Sequence, residues 1–521
     1  MNQKLTGKQY ALVASMLFGM FFGAGNLIFP IILGAKAGAS LIPALIGMLI
    51  TAVGMPLLGI VALGVSKSSG LMEMSSRVTK GYGYFFTCAL YLTIGPFFAI
   101  PRCAATSFTM GIEPLIDGNV TVVQAIFTTL FFAAVLFFAL RPSSIMNSVG
   151  KYLNPIFLVC LGVLVIAALI SPEQTVSSVP ASGAYAENAF STGFLQGYDT
   201  LDALASLAFG IIVINVITGM GIEEPGAIAK NTIKSGVFSM ILMTVIYALI
   251  AIVGAQSYGL YADQLADPSF NGGTAFAVIA RHYLGSTGMI VLALTVTFCC
   301  MKTAIGLVTS CADTFSEIFP HSLSYRNWAI AFTAFSLLVS NIGLSKIISF
   351  SAPVLYFLYP LAIVLILLTI FGKYFGHSRI VYVCGIGFTM IAAVLDLLRV
   401  SGLAQGVVEW ASGWLPLYTM GLGWLVPGAI GTVQLVMTAS SLFPLAANPT
   451  RPPRQYHLLL LLVISILLLF SEYMTISSSL APAVIPKSPT MSTSALISTF
   501  FIEYACPLYA PAKYAIYAVP N

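Results

Sequence analysis

The chain has 521 residues, of which 58% are hydrophobic and only 7% are charged, and its mean hydropathy is +0.96. Soluble proteins carry about 25% charged residues, which they need in order to cover a surface that faces water. So few charges exclude a soluble multidomain protein, a disordered chain and a nucleic-acid-binding protein with a basic face. The composition indicates an integral membrane protein that has the lipid bilayer as its solvent.

The apolar residues form long runs and do not show the alternation of a membrane β-barrel. A helix needs about 20 apolar residues to cross the bilayer core. The runs predict an all-α polytopic protein with about twelve transmembrane helices, near residues 10–35, 41–66, 82–108, 120–141, 151–170, 194–219, 233–257, 286–311, 327–344, 347–370, 380–398 and 418–443.

The loop charges give an independent test of this arrangement, because Lys and Arg prefer the cytoplasmic side of each crossing. With the amino terminus in the cytoplasm, the cytoplasmic segments carry most of the basic residues. The opposite face then carries Lys36, Arg102, Arg281, Lys346 and Arg399. The charge distribution predicts a cytoplasmic amino terminus and supports the number of crossings.

Two predicted crossings are interrupted by residues that disfavour a helix. The first contains the sequence GAGN at Gly23–Asn26, followed by Pro30, and the sixth mixes carboxylates, hydroxyls and glycines between Gly197 and Gly210. Gly and Pro destabilise a helix interior by about 1 and 3 kcal/mol. Paired interruptions at membrane depth point to the substrate site of a transporter built from inverted repeats. Tight packing of small residues is the alternative explanation.

A broken helix exposes N–H groups at one half-helix and carbonyl groups at the other, which matches the two charges of a free amino acid. We expect the carboxylate to bind at Gly23, Ala24, Gly25 and Asn26, and the amino group to bind at Ser206–Gly210, which includes Ala208. An aliphatic side chain would bind in a pocket lined by Phe22, Tyr91, Ile94 and Phe209. Leucine, isoleucine and valine should compete there, because one methylene is worth only about 1–3 kcal/mol.

The driving force is expected to be a cation gradient, because the chain contains no GxxxxGK[ST] phosphate-binding motif. One charge that crosses 100 mV is worth about 2.3 kcal/mol, which suffices for uptake. The eight cysteines and four histidines show no metal-ligand spacing. We therefore expect no enzyme activity, no cofactor, no nucleic-acid partner, and no metal other than a coupling cation.

Several ordered motifs resemble the bacterial branched-chain amino acid:cation symporter family over residues 6–443. They are GAGNLIFP at 23–30, GPFFAIPR at 95–102, and the segments 197–204, 209–215 and 340–345. The resemblance implies a leucine-transporter-type core of two inverted five-helix repeats, about 10–170 and 194–370, with helices 1 and 6 broken and two further helices at about 380–443. It also implies uptake of leucine, isoleucine and valine across a bacterial cell membrane, with sodium as the usual cation. A proton is the alternative cation, and a non-transporting amino acid sensor is the alternative function.

The resemblance also implies a cation site at Phe22 and Asn26, which hydroxyls of the eighth crossing would complete. Thr303 matches one such hydroxyl, whereas Lys302 stands where a threonine or an aliphatic residue is expected. A lysine near the bilayer centre costs roughly 2.5–3.5 kcal/mol on insertion scales. Lys302 could face water in a structural role, replace sodium with its ammonium as a proton site, or be an isolated variant.

Two buried charges, Arg102 and Asp202, are both predicted to lie in the outer half of the membrane. An ion pair between them above the substrate would act as an outer gate. An interfacial arginine and an unrelated helix-capping aspartate are the alternative. We expect Asp199 to be an exposed loop carboxylate.

The composition changes after residue 445, where a Pro- and Arg-rich segment precedes a short leucine run and a tract rich in Ser, Pro, Ala and Thr. We expect a transmembrane domain at 1–445 and a divergent tail at 446–521 that has no transport role, so truncation at Ala447 should preserve activity. The sequence leaves the oligomeric state open.

Overall fold

The computed structural model describes residues 4–66, 68–116, 118–141, 145–222 and 224–432. All of them belong to one compact unit, Met1–Asn448. The predicted tail at 446–521 and the end of the twelfth predicted crossing lie outside the described residues.

Helices make up nearly all of the regular structure, and the described residues contain no strand. In chain order the helices are Gly7–Phe21 (α1), Gly25–Ala37 (α2), Leu41–Leu49 (α3), Met55–Ser66 (α4), Leu71–Ser75 (α5), Lys80–Leu92 (α6), Ala99–Ser107 (α7), Val120–Ala139 (α8), Ile145–Ile170 (α9), Ala184–Gln196 (α10), Asp202–Gly219 (α11), Pro225–Gln256 (α12), Gly272–Ile318 (α13), Tyr325–Ser340 (α14), Leu344–Phe371 (α15), Arg379–Ser401 (α16) and Gln405–Trp414 (α17).

Each of the first eleven predicted crossings overlaps a helix or a pair of helices. Eight helical stretches of the described chain are long and apolar enough to cross a membrane. This number is below twelve because the stretch Gly25–Ser66 contains parts of two crossings and the fifth crossing is represented only by the shorter apolar helix Leu158–Ile170. In addition, α14 has only 16 residues, and the twelfth predicted crossing extends beyond the described residues. The predicted all-α polytopic architecture is confirmed.

The first crossing is broken between α1 and α2. A capping box of Thr6 and Gln9 begins α1, and the helix ends where Phe22 adopts an extended conformation, with φ −77° and ψ 103°. The chain becomes helical again at Gly25. The glycines at 23 and 25 therefore mark the break, as the sequence predicts.

The sixth crossing is broken between α10 and α11. A 3₁₀ turn, Gly197–Thr200, follows α10, and Leu201 then adopts the left-handed conformation with φ 66° before α11 begins at Asp202. A non-glycine residue in this conformation is uncommon and is held there by its surroundings. The break lies at the start of the interrupted segment, and Ser206–Gly210 lies inside regular helix.

Packing between the two halves follows the inverted repeat. Helix α2 of the first crossing packs against α12, the seventh crossing, while α10 of the sixth crossing packs against α3 of the second. Glycines allow backbones to touch at both contacts. A Cβ on Gly34 would lie 1.9 Å from the Ala251 carbonyl oxygen, and a Cβ on Gly193 would lie 1.9 Å from the Ala44 carbonyl oxygen. Small residues permit this close approach of transmembrane helices.

The third and eighth crossings complete the surroundings of the breaks. Between α6 and α7 the third crossing contains a π-helical turn, Thr93–Phe97, in which Gly95 leaves helical geometry. Helix α13 packs against α7, α9 and α2. The breaks are thus enclosed by helices of both repeats.

Candidate functional site

The two breaks lie next to each other. A Cβ placed on Gly25, the first residue of α2, would lie 3.4 Å from the Cα atom of Thr200 and 3.1 Å from Nη2 of Arg102. The break of the first crossing therefore contacts both the break of the sixth crossing and the arginine of the third. Crossings far apart in sequence meet at one point inside the protein.

Asn26 connects the breaks through its amide. Its Oδ1 accepts a hydrogen bond from the Gly23 N–H at 2.7 Å, which satisfies a donor that the broken helix leaves free. Its Nδ2 donates to Asp202 Oδ2 at 2.8 Å and to the hydroxyl of Tyr247. The Tyr247 hydroxyl in turn donates to Asp202 Oδ2 at 3.2 Å. Asn26, Asp202 and Tyr247 are buried, so this network joins α2, α11 and α12 away from solvent.

Arg102 binds backbone and not a carboxylate. Its Nη1 donates to the Asp199 carbonyl oxygen at 2.6 Å, and its Nη2 lies 3.5 Å from the Thr200 carbonyl oxygen. Its guanidinium also lies 5.2 Å from the ring centroid of Phe29. The guanidinium thus binds carbonyl groups that the sixth crossing frees at its break.

The predicted ion pair between Arg102 and Asp202 is not formed in this structure. Within the described part of the chain, the ion pairs are His282–Glu173 and Arg399–Asp396. The physical reason is that free carbonyl groups compete for the guanidinium, while Asp202 accepts from neutral donors. The expectation for Asp199 also needs correction, because its carboxylate is partly buried and accepts a hydrogen bond from Gln196 at 2.9 Å.

The eighth crossing contributes one turn of α13 to the first break. Cys299 Sγ lies 4.0 Å from the Phe22 carbonyl oxygen, and a Cβ on Gly23 would lie 3.6 Å from Thr303 Oγ1. Thr303 therefore lies beside the break, as the cation-site prediction requires. Lys302 is only partly buried, and no described carboxylate is within ion-pairing distance of its ammonium.

The residues Ser206–Gly210, which are predicted to bind the substrate amino group, lie on two different faces of α11. A Cβ on Gly59 of α4 would lie 2.0 Å from Ser206 Oγ, and a Cβ on Gly210 would lie 2.6 Å from the side chain of Leu63. Ser206 and Gly210 therefore pack against α4. By contrast, the carbonyl oxygen of Ala208 accepts a hydrogen bond from the Tyr91 hydroxyl at 3.3 Å, so this face of α11 meets the third crossing.

The expected pocket residues are all buried, namely Phe22, Tyr91, Ile94 and Phe209. Tyr247 was not predicted from the sequence. It lies in an uninterrupted apolar run of the seventh crossing, and no motif marks it. A hydroxyl within a long hydrophobic helix is a weak signal, because tyrosine also packs as an ordinary apolar side chain.

The fold matches solved transporter structures. The inward-facing conformation of Mhp1 aligns with a TM-score of 0.52 and 12% identity, over 86% of this chain and 94% of that chain. Mhp1, a nucleobase-cation-symport-1 family transporter, in a closed conformation with bromovinylhydantoin bound, aligns with a TM-score of 0.53 and 14% identity over the same shares. At this identity the likeness shows the fold alone, and it confirms the predicted leucine-transporter-type architecture.

Several curated proteins share higher sequence identity with this chain than the solved structures do. The branched-chain amino acid permease BrnQ of Lactobacillus delbrueckii subsp. lactis is 48% identical over 82% of this chain and 96% of that protein. BrnQ of Bacillus subtilis is 40% identical over 83% and 97%, and BrnQ of Escherichia coli K12 is 33% identical over 84% and 97%. The family described as "Branched-chain amino acid transport protein" matches residues 6–442. The chain belongs to this family of multi-pass membrane transport proteins.

Proposed function

We propose that the protein takes up leucine, isoleucine and valine across a bacterial cell membrane by cation symport. The observation that carries the proposal is the contact between the two broken crossings at Gly25 and Thr200. Broken helices that meet inside a helical membrane protein place free backbone dipoles where a small zwitterion can bind. The names of the relatives support the choice of branched-chain amino acids.

The substrate carboxylate would bind at the start of α2. This helix begins at Gly25 with no side-chain cap, and the positive end of its dipole favours an anion. The amino group would bind at the carbonyl end of α1, near Phe21 and Phe22. Ser206–Gly210 is unsuited to that role, because its backbone lies within α11.

The aliphatic side chain would lie among the buried Phe22, Tyr91, Ile94 and Phe209. Tyr91 is fixed against α11 by its hydrogen bond to Ala208, which holds the third and sixth crossings at a set distance. A pocket of this kind separates substrates that differ by one methylene by only about 1–3 kcal/mol. All three branched-chain amino acids should therefore be carried.

For the coupling cation we propose sodium, with a proton as the alternative. Phe22 caps the end of α1 at the first break, Thr303 lies beside Gly23 of that break, and Asn26 lies in the first turn of α2. We assign Lys302 a structural role, because its side chain is only partly buried. The distribution of Lys and Arg supports a cytoplasmic amino terminus.

The decisive experiment is uptake of labelled leucine into proteoliposomes that contain the purified full-length protein, under an imposed sodium or proton gradient. We expect accumulation that unlabelled isoleucine and valine inhibit. A Gly25→Val variant should lose uptake, because its side chain would meet Arg102 and Thr200. Gly162→Val, at a helical position with open space around it, is the matched control. Leucine binding without flux would favour a non-transporting sensor and contradict the proposal.

A further inference from the structure

The third crossing bends at the wall of the proposed substrate pocket. Its π-helical turn, Thr93–Phe97, contains Pro96 and also Gly95, whose φ of −96° and ψ of −124° are not helical. Proline has no N–H and cannot donate to a carbonyl oxygen of the preceding turn. The bend comes immediately after Ile94 and one turn after Tyr91, so its geometry decides where these two pocket residues lie.

The eighth crossing packs into this bend with one side chain, Cys311 of α13. The side chain is fully buried, at 0% exposure. A Cβ placed on Gly95 would lie 2.7 Å from Cys311 Sγ but 3.8 Å from Cys311 Cβ. Because non-bonded heavy atoms are about 3.5–4 Å apart at their optimal separation, only a glycine at position 95 leaves room for the sulfur atom.

The same sulfur atom contacts the backbone of a pocket residue. Cys311 Sγ lies 3.5 Å from the Tyr91 carbonyl oxygen, to which it donates. An S–H group is a weak donor, so the contact fixes position mainly through packing. Cys311 therefore touches both Tyr91 and Gly95, and it holds this turn of the third crossing at a set distance from α13.

The other end of Tyr91 is fixed by the sixth crossing. Its hydroxyl donates to the Ala208 carbonyl oxygen of α11 at 3.3 Å. Because α13 holds the backbone and α11 holds the hydroxyl, the ring spans the space between the eighth and sixth crossings. The position of the ring, and that of Ile94 in the same turn, therefore depends on how closely the third crossing approaches α13.

We propose that the contact between Gly95 and Cys311 determines which aliphatic side chain the transporter prefers, with Cys311 as a positioning residue. This inference rests on the proposed transport of branched-chain amino acids and deepens the assignment of Tyr91 and Ile94 to the pocket. Cys311 acts through these two residues. The close approach of the third crossing to α13 keeps the pocket narrow enough to hold valine as well as leucine.

A small displacement of the third crossing is enough to change the preference. One methylene in an apolar pocket changes selectivity roughly 10–200-fold. A methyl group on Gly95 must move Cys311 Sγ by about 1 Å to reach an ordinary contact distance. Such a displacement approaches the length that one methylene adds to a substrate, so the effect on selectivity should be severalfold.

The test is the ratio of the apparent KM for valine to the apparent KM for leucine. Initial rates of uptake into proteoliposomes that contain the full-length protein give both values. Gly95→Ala should push the third crossing away from α13 and widen the pocket, so that valine, the shorter substrate, loses more contact than leucine. We expect the ratio to rise at least about fivefold. Gly81→Ala, at an open position of the same crossing, is the matched control.

A double-mutant cycle tests whether the sulfur atom is the cause. In the Cys311→Ala background the sulfur is gone, and a methyl group on Gly95 would lie 3.8 Å from the Cβ of residue 311. We expect Gly95→Ala to change the ratio by less than about twofold in this background. An equal effect in both backgrounds would show that Gly95→Ala acts by distorting its own backbone, and it would overturn the proposal.

The ratio does not depend on the amount of active protein, so it separates specificity from stability. A lower Vmax or Tm for Gly95→Ala with a ratio within about twofold of wild type gives the contact a purely structural role and overturns the inference. If Gly95→Ala does not fold, Cys311→Val decides, because it adds bulk to the same contact from α13 and should raise the ratio in the same way. An unchanged ratio in that variant also overturns the inference. If the wild-type protein takes up neither amino acid, the proposed transport function itself fails.

Discussion

Gly25 lies directly against the guanidinium of Arg102, and a Cβ on Gly25 would be 3.1 Å from Nη2. The absence of a side chain at the start of α2 is what allows the arginine to reach the carbonyl oxygens of Asp199 and Thr200. Arg102 is thereby a bridge between the two breaks. Its role depends on the shape of its donor group as well as on its charge.

Replacing Arg102 with lysine should therefore impair transport although the charge is kept. A lysine ammonium is a point charge and lacks the planar group of five donors that binds two carbonyl oxygens together. Loss of one hydrogen bond from a charged group costs about 1.5–3 kcal/mol, so we expect leucine uptake to fall at least about tenfold. Initial rates in proteoliposomes measure the effect. The exchange Arg102→Asp with Asp202→Arg should not restore uptake, and recovery by this double variant would instead establish a gate ion pair.

The close contact between Gly193 and the backbone at Ala44 predicts that a larger side chain at Gly193 destabilises the protein. A Cβ there would lie 1.9 Å from the Ala44 carbonyl oxygen, which is backbone and cannot move away cheaply. Gly193→Val should separate α10 from α3 and destabilise the protein by about 1–3 kcal/mol or more, as overpacking does. Thermal unfolding of the detergent-solubilised protein measures it. Gly387→Ala on α16, where nothing lies within 4 Å, should leave Tm unchanged or higher.

The location of the first break was predictable, because glycines and a proline near the centre of an apolar run destabilise a helix at that point. Gly23 and Gly25 carry that signal in the sequence itself. The second break was placed less well, since the glycines and hydroxyls between 197 and 210 spread over four helical turns. In the structure, the left-handed conformation of Leu201 separates the unwound part from α11, which begins at Asp202.

The partners of the charged residues were not predictable from the sequence. Arg102 and Asp202 lie at similar predicted depth, and opposite charges at one depth suggest an ion pair. The sequence does not show that the break frees carbonyl groups for Arg102, nor that Tyr247, in an unmarked apolar run, supplies a hydroxyl to Asp202. Such contacts depend on which faces of distant helices meet, which hydropathy patterns do not encode.

Ser206 and Tyr91 should respond differently to loss of their hydroxyls. Ser206 packs against Gly59, and its Oγ donates to the Ala203 carbonyl oxygen within α11. Ser206→Ala should thus keep leucine uptake within about twofold of wild type. Tyr91→Phe removes the hydrogen bond to Ala208, which is worth about 0.5–1.5 kcal/mol, and should raise the apparent KM for leucine. A loss of leucine uptake greater than about twofold in Ser206→Ala would instead indicate that Ser206 contacts the substrate.

Lys302→Gln tests the role of the lysine in the eighth crossing. Because its side chain is partly exposed and no described acid pairs with it, we expect the ratio of uptake in sodium to uptake in choline at fixed pH to change by no more than about twofold. If sodium is the cation, Thr303→Ala, beside the first break, should lower the ratio of uptake in sodium to uptake in choline by more than Lys302→Gln does. Wild-type uptake that persists in choline, follows a pH gradient and disappears in Lys302→Gln would make the lysine ammonium the coupling site.

The buried pair Arg399–Asp396 predicts a double-mutant effect. The Asp396 side chain is only 1% exposed and lies 3.4 Å from Arg399 Nη2, and the guanidinium also lies 5.6 Å from the ring centroid of Tyr356. Arg399→Gln leaves a buried carboxylate without its cation, which costs about 3–5 kcal/mol. Combining it with Asp396→Asn removes that charge, so the double variant should be more stable than Arg399→Gln alone. Tm values of the four proteins measure the coupling, and additive losses would show that the carboxylate is neutral or otherwise compensated in the folded protein.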